Sequence, residues 1–206
     1  MIEESKQVER PSLAMTLPVE AMSNRLEVVI LQHPQEPDKV LGTAPLCVRS
    51  LKNASLKIGL SWPSLAKAIG HEAIPSEWGV VYLGGKGKTL QGVVNVLNKK
   101  MEPVENPLHL KGIILLDGTW SQAKTLWWRN AWLLKLRRVV LQPERPSQYG
   151  RLRKEPRREC VSTIEAAALC LQYFDAGSKT GTKLEENFAR MLEAYRESLK
   201  SPSEAP

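Results

Sequence analysis

The sequence predicts one α/β domain with a mostly parallel sheet flanked by helices, and three observations predict it. Short runs rich in β-branched residues recur along the chain, and segments of helical period separate them. The runs are almost continuously apolar, which is typical of parallel strands covered on both faces. Alternation of strands and helices is the arrangement of α/β domains. A chain of 206 residues is long enough to bury one such core.

Five short runs are strand candidates, and valine, isoleucine and leucine predominate in them. They lie at residues 26–32, 54–60, 78–83, 111–116 and 137–142. The run at 54–60 is the weakest candidate because it contains Gly59, and glycine weakens a strand interior. Each of the other four runs is short enough to be one strand of a buried sheet.

Three segments have the apolar spacing of helices. They lie at residues 121–136, 162–174 and 183–199. The second begins with Ser162-Thr163-Ile164-Glu165, the pattern of a capping box, in which the first and fourth side chains satisfy free backbone N–H groups. The third follows a glycine-rich stretch that we expect to be a flexible linker.

The ends of the chain differ from its centre. Pro11 and Pro18 break any helix in residues 1–25, so we expect a disordered or loosely docked lead-in there. We place the folded domain at residues 26–200 and a disordered tail at 201–206. The N-terminus is polar and has no signal-peptide core, and the apolar runs are too short to cross a bilayer. We therefore expect a cytoplasmic enzyme that has no membrane partner.

The net charge of +7 is concentrated in one part of the chain. Residues 124–158 contain Lys124, Arg129, Lys135, Arg137, Arg138, Arg145, Arg151, Arg153, Lys154, Arg157 and Arg158. Only Glu144 and Glu155 oppose these cations. Such clustering indicates a phosphate-backbone partner, with a solvated basic face as the alternative.

Cysteine and histidine are too scattered to predict a metal site or a disulfide framework. The chain contains Cys47, Cys160, Cys170, His33, His71 and His109. No two of the cysteines have the spacing of a metal knuckle, and their odd number does not fit a set of disulfides. We expect free thiols and no metal.

The strongest site-like feature is Asp117, which ends a buried strand just before Gly118, Thr119 and Trp120. Ligands of open α/β sheets bind outside the carboxyl ends of the strands, where this carboxylate would lie. The alternative is that Asp117 or Thr119 only caps the helix that follows. Trp120 is placed to stack on an adenine or a uracil.

Three other segments put polar or glycine residues at candidate ligand positions. His33 follows the first strand, with a turn histidine bonded to backbone as the alternative. Leu83 and Gly84 open a glycine-rich turn after another strand, although the spacing of a phosphate loop is absent. The helix start at Ser162 could hold a carboxylate or a ribose edge, with the capping box alone as the alternative.

The tryptophans near Asp117 allow two interpretations. Trp127 falls on the buried stripe of its predicted helix. Trp128 and Trp132 are four residues apart and would form an exposed aromatic strip beside Arg129, suited to stacking on bases. Core packing is the alternative for each of them.

Together these motifs resemble the DTW-domain family over residues 26–174. The Asp-x-Thr-Trp motif stands at residues 117–120, His-Pro-x-Glu at 33–36 and Ser-Thr-x-Glu-Ala at 162–166. Residues 149–153 resemble the basic stretch that precedes the last motif. Two departures are the absence of the N-terminal zinc-binding cysteine cluster and an altered loop at residues 40–46.

The resemblance implies an S-adenosyl-L-methionine-dependent tRNA-uridine aminocarboxypropyltransferase that needs no metal. It also implies a SPOUT-like fold with a C-terminal trefoil knot. The residues expected around the methionine donor are Leu83, Gly84, Leu116, Gly118, Ser162, Thr163 and Glu165. The residues expected to contact tRNA are His33, Glu36, Arg129, Arg151, Arg153, Arg157 and Arg158.

The expected reaction is attack by uridine N3 on the aminocarboxypropyl carbon, with methylthioadenosine as the by-product. Asp117 is the expected base, or else it orients the uracil or the amino group of the donor. Thr119 would hydrogen-bond the donor or fix Asp117, and Trp120 would close the pocket. The alternatives are an enzyme of the same chemistry acting on rRNA, an RNA methyltransferase, and a non-catalytic RNA-binding protein.

Overall fold

A computed structural model describes residues 13–36, 39–83, 90, 92–152 and 161–200, without the side chain of Leu83. The five strand candidates and one further strand form a six-stranded sheet. Its strands are β1 (Glu27–Gln32), β2 (Ala54–Ile58), β3 (Trp78–Leu83), β4 (Val94–Leu97), β5 (Gly112–Asp117) and β6 (Arg137–Leu141). The strand order is β2-β1-β5-β3-β6-β4. Only β4 is antiparallel to its neighbour. The predicted mostly parallel α/β architecture is confirmed.

Strand β4 was not predicted from the sequence. It has four residues, Val94 and Val96 are buried, and Asn95 between them is partly exposed. It lies at the edge of the sheet, where β6 is its neighbouring strand. A strand this short carries too few apolar residues to stand out as a continuous run, so the parallel-strand pattern could not predict it.

Helices cover both faces of the sheet. They are α1 (Leu13–Thr16), α2 (Ala44–Arg49), α3 (Leu65–Ile69), α4 (Trp120–Arg129), α5 (Thr163–Phe174) and α6 (Thr180–Lys200). The larger core cluster joins α1, α2, α5 and α6 to one face, against residues such as Ile30 and Ile113. The smaller cluster packs α3 and the 3-10 turn Ala131–Lys135 on the other face, against Val29 and Ile114. No helix within the described ranges is long and apolar enough to cross a membrane.

The helix predicted at residues 121–136 is wrong beyond Arg129, because Asn130 ends it. The Asn130 side chain donates to the carbonyl oxygens of Leu126 at 2.7 Å and Leu60 at 3.0 Å. Its Oδ1 accepts the backbone N–H of Trp62 at 2.8 Å. This fully buried amide ties the end of α4 to the loop after β2, and a side chain that bonds to backbone competes with helix continuation.

Of the two interpretations of Trp128 and Trp132, the exposed strip is not formed, and core packing is confirmed for Trp132. Trp128 is 77% exposed, but Trp132 is 8% exposed and lies in the 3-10 turn after α4. Its Nε1 donates to the carbonyl oxygen of Trp62 at 2.9 Å. Trp127 is partly buried against the smaller core cluster, and the guanidinium of Arg138 stacks 5.0 Å from its ring centre.

The stretch expected to be a flexible linker already contains the first turn of α6. Gly181 is buried there, and a Cβ atom at this position would lie 2.6 Å from the carbonyl oxygen of Ala168. The glycine therefore allows α6 to approach the backbone of α5 closely instead of making the chain flexible.

Part of the expected lead-in packs on the domain. Ala14 of α1 is fully buried in the larger core cluster, and Arg49 Nη1 donates to its carbonyl oxygen at 2.8 Å. Met22 forms a parallel bridge with Leu51. Residues 1–12 and the expected tail at 201–206 lie outside the described part of the chain.

Candidate active site

The candidate site lies where the direction of chain winding reverses. From β1 the chain passes to β2 on one side and then to β3 on the other, and β5 occupies the place between β1 and β3. In the β1–β5 pair, Gln32 is in register with Asp117, so both residues end their strands at one edge. Such reversal points at the carboxyl ends of strands are the usual ligand sites of open α/β sheets.

Two side chains from other elements hold the Asp117 carboxylate. Gln32 Nε2 donates to Oδ2 at 2.8 Å, and the hydroxyl of Thr163 donates to Oδ1. Asp117 itself is half-buried. An ionised carboxylate has about four acceptor positions, so these two donors fix its orientation and leave it able to accept further bonds.

Gln32 is buried and only half satisfied. Its side chain is 1% exposed, and its Oε1 accepts no hydrogen bond from any described residue. The amide cannot be reversed, because its oxygen would then face the Asp117 carboxylate. A buried acceptor without a partner costs about 1–3 kcal/mol. Such an acceptor is unusual in a protein core, and a role at a functional site is one explanation for it.

Cys47 of α2 is fully buried, close enough to Asp117 to interact with its charge. Burial, and secondarily the negative charge of Asp117, raise the pKa of its thiol to about 12. The thiol therefore stays protonated at neutral pH, and Cys47 belongs to the larger core cluster.

The N-terminus of α5 lies beside Asp117, and the predicted capping box is present. Ser162 Oγ accepts the N–H of Glu165 at 3.3 Å, and the Ser162 N–H donates to Glu165 Oε2 at 2.7 Å. The hydroxyl of Thr43 accepts the N–H of Ile164 at 3.4 Å. The cap explains Ser162 without a ligand, and Thr163 is the residue of this turn that contacts Asp117.

Glu165 links α5 to the segment before it. Its Oε2 accepts the hydroxyl of Ser147 at 2.7 Å and that of Ser162 at 2.6 Å, while Oε1 accepts the N–H of Gln148 at 2.8 Å. The adjoining Tyr149 donates its hydroxyl to the carbonyl oxygen of Leu41 at 2.5 Å. These bonds hold the start of the basic stretch against the site.

The turn from β5 into α4 depends on Gly118. Its φ is +156°, and a Cβ atom there would lie 2.9 Å from Gln122 Cβ. Thr119 then caps α4, because its backbone N–H donates to Gln122 Oε1 at 2.6 Å and its hydroxyl accepts the Gln122 N–H at 3.4 Å. Trp120 begins the helix and is 44% exposed. Of the two candidate caps, the structure uses Thr119.

The His33–Glu36 turn packs beside this turn. The His33 N–H donates to the carbonyl oxygen of Asp117 at 3.0 Å, and its Nδ1 accepts the N–H of Gln35 at 3.3 Å. Glu36 is 5% exposed and pairs with Lys39 at 2.6 Å. The ring of His33 is thus engaged with backbone, as expected for a turn histidine.

The other expected site residues are only partly described. Leu116 and Gly118 lie at the carboxyl end of β5, and the Leu83 backbone ends β3. Arg129 and Arg151 are exposed. Gly84, Arg153, Arg157 and Arg158 lie outside the described residues. The contacts of all these residues with donor or RNA stay predictions.

Two residues at the site were not among those selected from the sequence. Gln32 was visible only as a polar residue at a strand end, and its contact with Asp117 depends on the β1–β5 pairing. Thr43 lies in the loop at residues 40–46 and reaches α5 across 121 positions of sequence. Within the described ranges, no group of three His, Cys, Asp or Glu residues could hold a metal ion.

The chain is thus an α/β protein whose candidate ligand site is a carboxylate held at the reversal point of a parallel sheet, beside a helix N-terminus. Residues 10–196 match the DTW domain, and the chain belongs to that family.

Several curated relatives share the name tRNA-uridine aminocarboxypropyltransferase. The chain is 29% identical over 182 residues to enzyme 2 of Mus musculus, covering 86% of this chain and 56% of the mouse protein. It is 31% identical over 166 residues to enzyme 2 of Drosophila melanogaster, covering 79% and 61%. It is 29% identical over 179 residues to enzyme A of Arabidopsis thaliana, covering 77% and 66%. The chain spans less than two thirds of each of these relatives. No solved structure matches it significantly.

Proposed function

We propose that this protein transfers the 3-amino-3-carboxypropyl group of S-adenosyl-L-methionine to N3 of a tRNA uridine. The relatives named for this activity support the reaction class. The structural observation that carries the proposal is the Asp117 carboxylate, which Gln32 and Thr163 hold at the carboxyl end of the sheet. The cytoplasmic location stays a prediction, as does the SPOUT-like fold with a C-terminal trefoil knot.

The residues present fit the donor. The aminocarboxypropyl group carries an ammonium, and two acceptors lie at the edge of the site: the unpaired Gln32 Oε1 and the half-buried Asp117 carboxylate. Oε1 is enclosed, so a small shift of the β1 end would be needed before a ligand reaches it. When bound, the sulfonium activates each of its attached carbons toward a nucleophile, and the group transferred depends on which carbon is presented.

In this mechanism N3 of uridine forms a bond to the aminocarboxypropyl carbon, and the carbon–sulfur bond breaks. The bonding electron pair stays on sulfur, which leaves neutral methylthioadenosine. The N3 proton is lost, and Asp117 either takes it or orients the reacting groups. Correct orientation of this kind contributes roughly 7–11 kcal/mol to catalysis.

The roles of the remaining residues follow their positions. Trp120, exposed at the start of α4 beside Asp117, would stack on the uracil or the adenine. Thr119 would contact the donor from the same turn. Arg129 and Arg151 are exposed and, with Arg153, Arg157 and Arg158, would bind tRNA phosphates.

The test is incubation of the protein with S-adenosyl-L-methionine and unmodified tRNA, followed by mass spectrometry of the small-molecule by-product and of the digested nucleosides. Methylthioadenosine with aminocarboxypropyluridine supports the proposal. S-adenosylhomocysteine with a methylated nucleoside, or product with rRNA only, overturns it. Asp117→Asn is the matched inactive control, and retention of both activity and donor binding by that variant would remove Asp117 from the mechanism.

A further inference from the structure

A basic cavity of about 550 Å³ lies at the opposite end of the sheet from Asp117. Arg137, the first residue of β6, lines it, and Asn98 lies next to Arg137 because Leu97 pairs with Arg138 in the β4–β6 ladder. A second cavity of about 380 Å³ adjoins it and shares Ser76, Asn98 and Arg137. We call the larger one the amino-end cavity.

The amino-end cavity has an excess of positive charge. Lys99, Lys100, Lys135 and Arg137 line it, and Glu102 is its one carboxylate. Glu102 Oε2 already accepts the Asn98 side-chain amide at 2.9 Å. None of the four cations forms an ion pair with another residue in the described ranges. The cavity therefore presents four cations against one carboxylate.

Hydrogen bonds hold the turn that carries Lys99 and Lys100, and another holds the Arg137 side chain. Asn98 Oδ1 accepts the N–H groups of Lys100 at 2.8 Å and of Glu102 at 3.1 Å, which fixes the turn that carries both lysines. Arg137 Nε donates to the carbonyl oxygen of Ser76 at 3.4 Å. Arg137 lines the cavity and has further guanidinium N–H groups that can donate to a ligand.

We propose that the amino-end cavity is a second contact surface for the phosphate backbone of the substrate RNA. The phosphates of a nucleic-acid backbone usually bind to clusters of lysine and arginine, and those in this cavity form no ion pair within the described residues. This proposal rests on the proposed RNA substrate, and it adds residues that are not among the arginines expected above to contact tRNA.

The geometry explains why a folded RNA suits this surface. Arg137 of β6 and Ile113 of β5 are both in register with Gly79 of β3, so they lie at the same height in the sheet. Asp117 lies four residues beyond Ile113 along β5, which is two strands away from β6. These steps correspond to about 13 Å along and about 10 Å across the sheet. One nucleotide in the site could not also reach the cavity, whereas a structured RNA could bind both.

The test compares two lysine pairs that remove the same charge. Lys99→Ala/Lys100→Ala changes the cavity, and Lys52→Ala/Lys57→Ala changes the β2 edge, which is the opposite side of the sheet from β4. Binding of unmodified tRNA is measured by fluorescence anisotropy between about 50 and 200 mM salt, a range over which binding that depends on phosphate contacts weakens strongly. Circular dichroism checks that both variants fold.

We expect the cavity variant to bind tRNA roughly tenfold more weakly and its log–log salt slope to fall by about one to two, while the β2 variant stays close to wild type. Equal loss in both variants, or no loss in the cavity variant, overturns the proposal. Lys99→Glu/Lys100→Glu must weaken binding further. The proposed reaction is tested separately, by product analysis with the wild-type protein. The two experiments therefore distinguish a wrong assignment of the reaction from a wrong assignment of the RNA-contact surface.

Discussion

The hydroxyl of Thr163, at the start of α5, donates a hydrogen bond to Oδ1 of Asp117, at the end of β5, across 46 positions of sequence. Gln32 Nε2 donates to the other oxygen from β1. Helix α5 and strand β1 thus fix the orientation of one carboxylate at the carboxyl end of the sheet. Carboxylate orientation is therefore a property of the assembled sheet and α5, and each partner can be tested separately.

Thr163→Val should lower kcat/KM for transfer to tRNA by about 10- to 100-fold, because it keeps the side-chain shape and removes the donor that orients Asp117. Thr163→Ser retains a hydroxyl and should restore most of the activity. The measurement is steady-state kinetics with both substrates varied. Equal rates for the valine and serine variants would show that the hydrogen bond has no part in catalysis.

The elements that meet at Asp117 could be predicted because their signals are local. The run Gly112–Asp117 ends in a carboxylate, and Ser162 with Glu165 forms a capping box within four residues. The pairing of Gln32 with Asp117 could not be predicted, because it depends on β5 entering the sheet between β1 and β3. Local sequence defines the ends of strands and helices but not the order in which strands pair.

Long-range contacts also explain where the sequence predictions were wrong. Asn130 ends α4 because Leu60 and Trp62 offer partners 70 and 68 positions away. The helical spacing of apolar residues continues as far as Leu134, so the sequence pattern is the same whether the helix ends at Arg129 or runs on. Trp132 is buried for the same reason, because the loop at Trp62 receives its Nε1 hydrogen bond.

Gly118→Ala should destabilise the protein by about 1–3 kcal/mol, because the new Cβ would lie 2.9 Å from Gln122 Cβ and disturb the cap of α4. Gly177→Ala is the matched control, since a Cβ at Gly177 meets no atom within 4 Å. Urea unfolding followed by circular dichroism measures both. A Gly118→Ala midpoint equal to that of the control would contradict the packing argument.

Glu165→Gln should lower the free energy of unfolding by about 2 kcal/mol or more. The amide replaces a buried carboxylate that accepts hydrogen bonds from Ser147, Gln148 and Ser162. Exposed Glu186→Gln on α6 removes the same charge and should change stability by less than about 0.5 kcal/mol. Chemical denaturation compares them. Hydrogen exchange at Gln148 should rise in the Glu165 variant alone, which would locate the loosened segment.

Cys47 and Cys170 should not react with thiol reagents in the folded protein at neutral pH, because both are buried and burial raises the pKa of each thiol. The test uses a Cys160→Ser background and compares native with denatured protein. Rapid labelling of the native protein would contradict the buried positions.

The same thiols predict a loss of stability at high pH. The pKa of Cys47 is about 12 in the folded protein against an ordinary value of 9.0, so its contribution is complete below pH 9 and is lost as pH rises toward 12. Between pH 8 and 10.5 the unfolding midpoint should therefore fall less in Cys47→Ala than in the wild type. Parallel curves would show that this thiol does not titrate differently in the two states.

Trp120→Ala should lower kcat/KM for tRNA by about 5- to 100-fold, because stacking of an aromatic ring on a base contributes about 1–3 kcal/mol. Trp128→Ala is the matched control: it removes the same ring from the same helix, eight residues or about 12 Å further from Asp117. Trp128 is the more exposed of the two, at 77% against 44%, so exposure alone would predict the larger effect for Trp128. A larger loss for Trp120 would therefore identify position beside the carboxylate, and not exposure, as the property that matters, whereas a larger loss for Trp128 would move the base-stacking surface down α4 and away from the proposed site.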